Sequence, residues 1–150
     1  MLLFLMEEKM KQLKYLSVVA IIFSITVVNT AHSTQKNIQG KTMEFEKIDT
    51  VVGAGKAAKK KDTLLMHYAG RLEDGTKFDS SYDRGQPLQF QLGVGQVIKG
   101  WDEGIEGMKV GGKRTLRIPS AMGYGARGAG SVIPPHANLI FDIELVDVIS

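Results

Sequence analysis

Hydrophobic and polar residues alternate along most of the chain between residues 43 and 150, and the period changes once. The segment MEFEKIDTVV (43–52) alternates at its start and predicts a strand. TLLMHYAGRL (63–72) is rich in β-formers and runs into Glu-Asp-Gly, a strong turn signal. In QPLQFQLG (86–93), Leu88, Phe90 and Leu92 share one face at period two. KRTLRIP (113–119) sets Leu116 and Ile118 against Thr115 and Arg117. LIFDIELVDVI (139–149) sets Leu139, Phe141, Ile143 and Leu145 against Asp142 and Glu144. About five strands follow from these patterns.

The period shifts to that of a helix in VIKGWDEGIEGMK (97–109). At 100° per residue Val97, Ile98, Trp101, Ile105 and Met108 fall on one side, with Lys99, Asp102, Glu103, Glu106 and Lys109 opposite. Gly100, Gly104 and Gly107 lie together on the flank of the apolar face. Each costs an isolated helix about 1 kcal/mol against alanine. Such a helix draws its stability from packing, and a glycine stripe admits a close neighbour. One short amphipathic helix laid across an antiparallel sheet is an α+β architecture.

Composition bounds the rest. The 150 residues make one domain and little more. The absence of cysteine excludes disulfides, thiol catalysis and cysteine-ligated zinc. Charge is mild: +3 overall, and without Met1–Ser33 the chain carries 16 basic and 14 acidic residues. The run Lys59-Lys60-Lys61 beside Lys56 has no interleaved aromatic residue and reads as a solvated loop. No nucleic-acid partner is expected.

The N-terminus reads as a delivery signal. Lys11 and Lys14 precede an apolar run from Tyr15 to Val28, followed by Ala31-His32-Ser33, where small residues at the first and third positions suit cleavage after Ser33. The 14-residue run is short for a spanning helix, which needs about 20 apolar residues. Glu7 and Glu8 are an odd opening for a signal, so Met10 is an alternative start. The expectation is a signal at 1–33, a flexible linker at 34–42 and a folded domain at 43–150, exported to a bacterial periplasm or secreted. Without cleavage the same segment is an inner-membrane anchor; with cleavage the mature chain has no stable membrane insertion. No Asn-Xaa-Ser/Thr sequon or ER-retention tail is present, which leans toward a bacterial setting.

Conventional chemistry has no candidate set. GYGARG (123–128) has the spacing of a dinucleotide fingerprint, but AGSVIPPHA follows it where a helix would have to start. His67 and His136 have no partners at metal-ligand spacing. Asp79, Asp83, Asp102 and Glu103 are plainer as surface charge than as acid–base pairs. What stands out is a stock of aromatics: Tyr68, Phe78, Tyr82, Phe90, Trp101, Tyr124 and Phe141. Any one of them suits a core; several sit beside glycines or turns, where binding sites concentrate.

Four ordered motifs, VIKGWDEGI, FDSSYDRGQPLQF, GYGARGAG and VIPPHANLIFDIEL, resemble the FKBP-type, macrolide-binding peptidyl-prolyl cis–trans isomerases over about residues 43–150, in the short single-domain form with a secretory signal added. The resemblance implies a strongly bent antiparallel sheet wrapped around the helix, with an aromatic pocket between them. It places Trp101 on the pocket floor and Tyr68, Phe78, Val97, Ile98, Tyr124 and Phe141 on the walls. Asp79 falls at the edge, Leu88 and Phe90 complete the substrate-binding set, and Val132 and Ile133 lie on an overhanging loop. Asp79, Tyr124, Ile98, Trp101 and Phe141 take the catalytic roles, with the Ile98 N–H binding a substrate carbonyl. Asp79 either acts on the rotating carbonyl or holds Tyr68. The resemblance implies no metal or cofactor, proline-containing polypeptides as substrates, macrolide inhibitor binding and a monomer. A binding or chaperone module of the same fold is the alternative function. The chain departs from familiar members at Leu88, where an aromatic is frequent, at Gln96, where glutamate is frequent, and at Ala129-Gly130, which replaces a His-Pro pair.

Overall fold

A computed structural model describes residues 42–149. The expected signal at 1–33, its cleavage site and residues 34–41 of the expected linker lie outside the described residues.

Among the described residues six strands and one helix form in chain order: β1 (Glu46–Val51), β2 (Thr63–Leu72), β3 (Lys77–Ser80), β4 (Leu88–Gln91), α1 (Lys99–Gly104), β5 (Lys113–Ile118) and β6 (Leu139–Ile149). Two 3-10 turns, Ser120–Met122 and Gly125–Arg127, lie between β5 and β6. All pairings are antiparallel, in the order β1-β5-β6-β2-β3, and β4 also pairs with β2. The long strand β2 is therefore the organiser. It meets β6 along its whole length, β4 through Thr63–Met66 and β3 through Ala69–Arg71.

The alternation of the sequence becomes the two faces of this sheet. Leu64, Met66, Tyr68, Leu116, Ile118, Leu139, Phe141, Ile143 and Leu145 are buried together with Trp101, Ile105 and Met108. The solvent face carries cross-strand charge pairs, among them Lys113 with Glu144 and Arg71 with Asp142. Near the end of β6 the alternation breaks. Leu65 pairs with Asp147 and Met66 with Leu145, so Val146 is the extra residue of a bulge and is exposed.

The expected architecture of about five strands and one short helix stands, with two details added by the structure. The sheet has six strands, because β3, KFDS, also pairs; four residues ending in serine look like turn. Its register is held by those serines. Ser81 Oγ accepts the Tyr68 N–H at 2.8 Å, the Ser81 N–H donates to the Tyr68 carbonyl at 3.0 Å, and Ser80 and Ser81 are both buried. The helix is also shorter than its apolar period, at six residues. Gly107, at φ +80° in the turn after α1, has a left-handed conformation, and its N–H bonds the Ala58 carbonyl. Ile105 and Met108 are buried, but they reach the core from the turn that follows the helix.

The glycine stripe has a direct structural cause. A Cβ on Gly100 would lie 2.5 Å from Ile118 Cγ2, and one on Gly104 would lie 2.7 Å from Leu116 Cδ1. Ile118 and Leu116 are alternate, inward-facing residues of β5. The helix backbone rests on this strand with no side chain of its own between them, and that contact brings Trp101 down into the concave side of the sheet.

Candidate functional site

A cavity of about 400 Å³ opens where α1 crosses the sheet. Trp101, Tyr68, Phe78 and Phe141 supply its aromatic surface, with Val97, Ile98, Tyr124, Leu88 and Asp79 around them. Ala129, Gly130, Val132 and Ile133 line the side formed by the loop before β6. Phe90 does not line it. This side chain is buried and packs against Trp101, with ring centroids 5.7 Å apart. Gln96 is also outside the lining, since its Oε1 accepts the Gln91 N–H at 2.8 Å.

The rings form a connected cluster. Trp101 meets Tyr68 at 5.0 Å and 76°, and Phe141 at 5.1 Å and 81°; Phe141 meets Phe78 at 5.4 Å and 85°. These edge-to-face contacts suit the ring quadrupoles and fix a walled hollow. Gly70 makes room for it, because a Cβ there would fall 2.6 Å from Phe78 and 2.7 Å from Phe141. Trp101 is only 4% exposed, and its indole nitrogen is the one buried side-chain polar atom without a hydrogen-bond partner among the described residues.

Polar groups are confined to the edge. The Tyr68 hydroxyl donates to Asp79 Oδ2. Arg84 joins both, with Nη1 2.5 Å from Asp79 Oδ1 and Nη2 2.6 Å from the Tyr68 hydroxyl, and its guanidinium lies over the Tyr68 ring. Burial works against the Asp79 charge, but the bonds from Tyr68 and Arg84 outweigh it, so the carboxyl sits below the usual carboxylate range. Burial, then the hydrogen bond to Asp79, raises the Tyr68 phenol. Burial and the Asp79 charge raise Tyr124. The edge at neutral pH is thus an ionised Asp79–Arg84 pair beside two neutral phenols.

Two donors belong to lining residues and are uncommitted. The Ile98 N–H and the Tyr124 hydroxyl make no hydrogen bond among the described residues. Ile98 is the residue that starts α1, and its carbonyl accepts from Trp101 and Asp102. Tyr124 precedes the second 3-10 turn and is 40% exposed. The overhanging loop closes on itself through reciprocal Ala129–Ile133 backbone bonds of 2.9 and 3.1 Å. Gly128, with φ +63°, permits that turn, since a Cβ would meet the Ile133 carbonyl oxygen at 2.2 Å. Arg84 is the site residue that sequence reasoning missed. Its only signal is its place in FDSSYDRGQPLQF, five residues beyond Asp79.

His67 and His136 stand apart from the cavity lining. His67 Nδ1 lies 2.9 Å from Ser81 Oγ, and its ring stacks on Tyr82 at 4.6 Å. His136 occupies a turn at φ +59°.

Together, the fold and cavity define a class: a bent sheet and one helix enclosing an aromatic hollow, with Asp79 and Tyr124 at its edge. Such a hollow takes a compact apolar ring flanked by carbonyls. The sequence profile described as FKBP-type peptidyl-prolyl cis-trans isomerase matches residues 54–146. An FK506-binding protein of Neisseria meningitidis serogroup A is 68% identical over 100 residues, covering 67% of this chain and 92% of that protein. The peptidyl-prolyl cis-trans isomerase FPR2 of Saccharomyces cerevisiae is 62% identical over 88 residues, covering 58% of this chain and 65% of that protein. A crystal structure described as AtFKBP13 superposes with a TM-score of 0.66 at 51% identity, covering 69% of this chain and 92% of the other.

The chain belongs to the FKBP-type peptidyl-prolyl cis–trans isomerases. It is an enzyme that accelerates rotation about Xaa-Pro bonds in polypeptides, an activity that assists protein folding.

Proposed function

We propose that the catalytic hollow is the cavity floored by Trp101, and that it works by selecting the twisted prolyl amide over the planar one. Amide resonance sets a rotation barrier of about 18–20 kcal/mol, while cis and trans Xaa-Pro ground states differ by only about 0.5–1 kcal/mol. Twisting breaks conjugation, so the carbonyl loses dipole and the proline nitrogen regains a lone pair. An apolar hollow disfavours the planar, more polar form relative to the twisted one, which is catalysis by differential binding. A barrier lowered by roughly 4 kcal/mol gives about a thousandfold acceleration.

Trp101, Phe141, Phe78 and Tyr68 grip the proline ring and exclude water. The unengaged Ile98 N–H and Tyr124 hydroxyl orient the flanking carbonyls, and Val97, Leu88, Val132 and Ile133 hold the neighbouring residues. Asp79 holds Tyr68 in place; the Tyr68–Asp79–Arg84 contacts favour that role over direct action on the rotating carbonyl. Phe90 serves by backing the indole. The connected edge-to-face cluster of Trp101, Tyr68 and Phe141 is the observation that carries this reading.

The enzyme acts on exported, partly unfolded chains as a monomer. The charged start, 14-residue apolar run and small residues at 31 and 33 support export, and mass spectrometry of the mature N-terminus tests it. Macrolide inhibitor binding is proposed on the cavity's apolar lining and on the name of the Neisseria relative. NMR exchange spectroscopy on a short peptide with leucine before proline tests the activity. Saturating macrolide is expected to abolish the added exchange; exchange that persists would separate the inhibitor site from the catalytic one.

A further inference from the structure

Residues Leu92–Ile98 join β4 to α1 and deliver two wall residues, Val97 and Ile98. Backbone bonds tie only the ends of this loop into the fold, and between them Gln96 Oε1 accepts the Gln91 N–H of β4 at 2.8 Å. The Leu92 N–H donates to the Asp62 carbonyl at 2.9 Å, the Leu92 carbonyl accepts from Lys61 at 2.8 Å, and the Ile98 carbonyl opens the helix. Between them Gly93, Val94, Gly95 and Gln96 are exposed, and both glycines sit at φ +76°. Exposed glycines gain little from burial and keep wide conformational freedom.

A second side chain fastens this segment to the helix. Asp102 Oδ1 accepts the Gly93 N–H at 2.8 Å, and Oδ2 accepts the Gly95 N–H at 3.0 Å. The Asp102 N–H donates to the Ile98 carbonyl at 3.2 Å. Asp102 follows Trp101 on α1, and the 100° step between them sends the indole into the cavity and the carboxylate to the loop. The same half-turn of helix floors the cavity and fastens the segment that sets the Ile98 N–H.

We propose that Asp102 is a positioning residue for the isomerase reaction: its two-point clamp on Gly93 and Gly95 aims the Ile98 N–H at the substrate carbonyl. It touches no substrate itself. Bonds from backbone N–H groups to a carboxylate are stronger than neutral ones, and two of them converge on one rigid helix. The inference rests on the reading of the Ile98 N–H given above.

The test uses the full chain with Asp102→Asn, Asp102→Ala and Asp102→Glu, following kcat and KM by exchange spectroscopy and the Gly93, Gly95 and Ile98 amides in 1H–15N spectra. Asp102→Asn keeps the volume with one acceptor oxygen, so it carries the test if Asp102→Ala does not fold. Asparagine and alanine are expected to move the Gly93 and Gly95 resonances upfield and lower kcat/KM by about tenfold, about 1.4 kcal/mol of transition-state stabilisation, with the thermal midpoint lowered less for asparagine than for alanine. Glutamate, which restores the carboxylate, is expected to recover activity to within about threefold of the unaltered chain. Moved amides with kcat/KM held within twofold would overturn the proposal, as would amides that do not move. If the Ile98 resonance of the unaltered protein ignores saturating peptide, the carbonyl reading fails instead, whatever the variants do.

Discussion

Gly100 of the helix and Ile118 of β5 touch backbone to side chain: an added Cβ would have three Ile118 carbons within 2.9 Å. The close approach of helix to sheet depends on this contact, and the depth of the tryptophan depends on the approach. Gly100→Ala should therefore destabilise the fold, although alanine is the better helix former. Overpacking of this kind costs about 1–3 kcal/mol, which exceeds the propensity gain of about 1 kcal/mol. Gly104→Ala meets the flexible end of Leu116 and should cost less. Denaturant unfolding of the two variants gives both the sign and the order.

Gly70→Ala probes the cavity more than the fold. The added methyl presses on the Phe78 and Phe141 rings, which must then move in a site where small misplacements are costly. An approximately tenfold loss of kcat/KM with a modest change in thermal midpoint is expected. Activity at the unaltered level would mean that these rings do not shape the reacting geometry.

Much of this was legible in the sequence. Period two gives four of the six strands and β-former content a fifth, and the single break to a helical period places Trp101 on the helix. Of the glycine flank, Gly100 and Gly104 are the close-approach surface, whereas Gly107 has open space beside it. What escaped depended on contacts remote in sequence. The β3 strand is held by serine hydroxyls on the Tyr68 backbone, and the end of the helix by a turn bonded to Ala58. Phe90 and Trp101 look alike as aromatics near turns, yet one backs the other, and only the packing separates lining from support. Gln96 reads as a rim residue by position, whereas its amide is turned to Gln91.

The charge state of the rim predicts two pH profiles. Asp79 titrates below the usual carboxylate range and the Tyr68 and Tyr124 phenols above theirs. None of the three changes protonation near neutrality, and the proposed mechanism moves no proton. kcat/KM should be flat from about pH 5.5 to 9, well inside the ordinary carboxylate and phenol values; a bell-shaped profile would point to general acid–base catalysis.

For stability the sign follows from Asp79. Its folded value is depressed, so its contribution is fully present above the unfolded value of about 3.9 and is lost as pH falls through the lower folded value. The stability difference between the unaltered protein and Asp79→Asn should shrink over that acid window and hold steady at neutral pH. Urea unfolding at stepped pH measures it.

The central claim is that the aromatic hollow itself catalyses rotation. Its most direct test is exchange spectroscopy on a Leu-Pro peptide with the unaltered chain and with Trp101→Ala combined with Phe141→Ala, the fold of the variant being verified by circular dichroism. The account predicts that removing the floor and the adjoining wall lowers kcat/KM by at least about a hundredfold, roughly 2.7 kcal/mol of lost transition-state stabilisation. A folded double variant that turns over within a fewfold of the unaltered chain would contradict it.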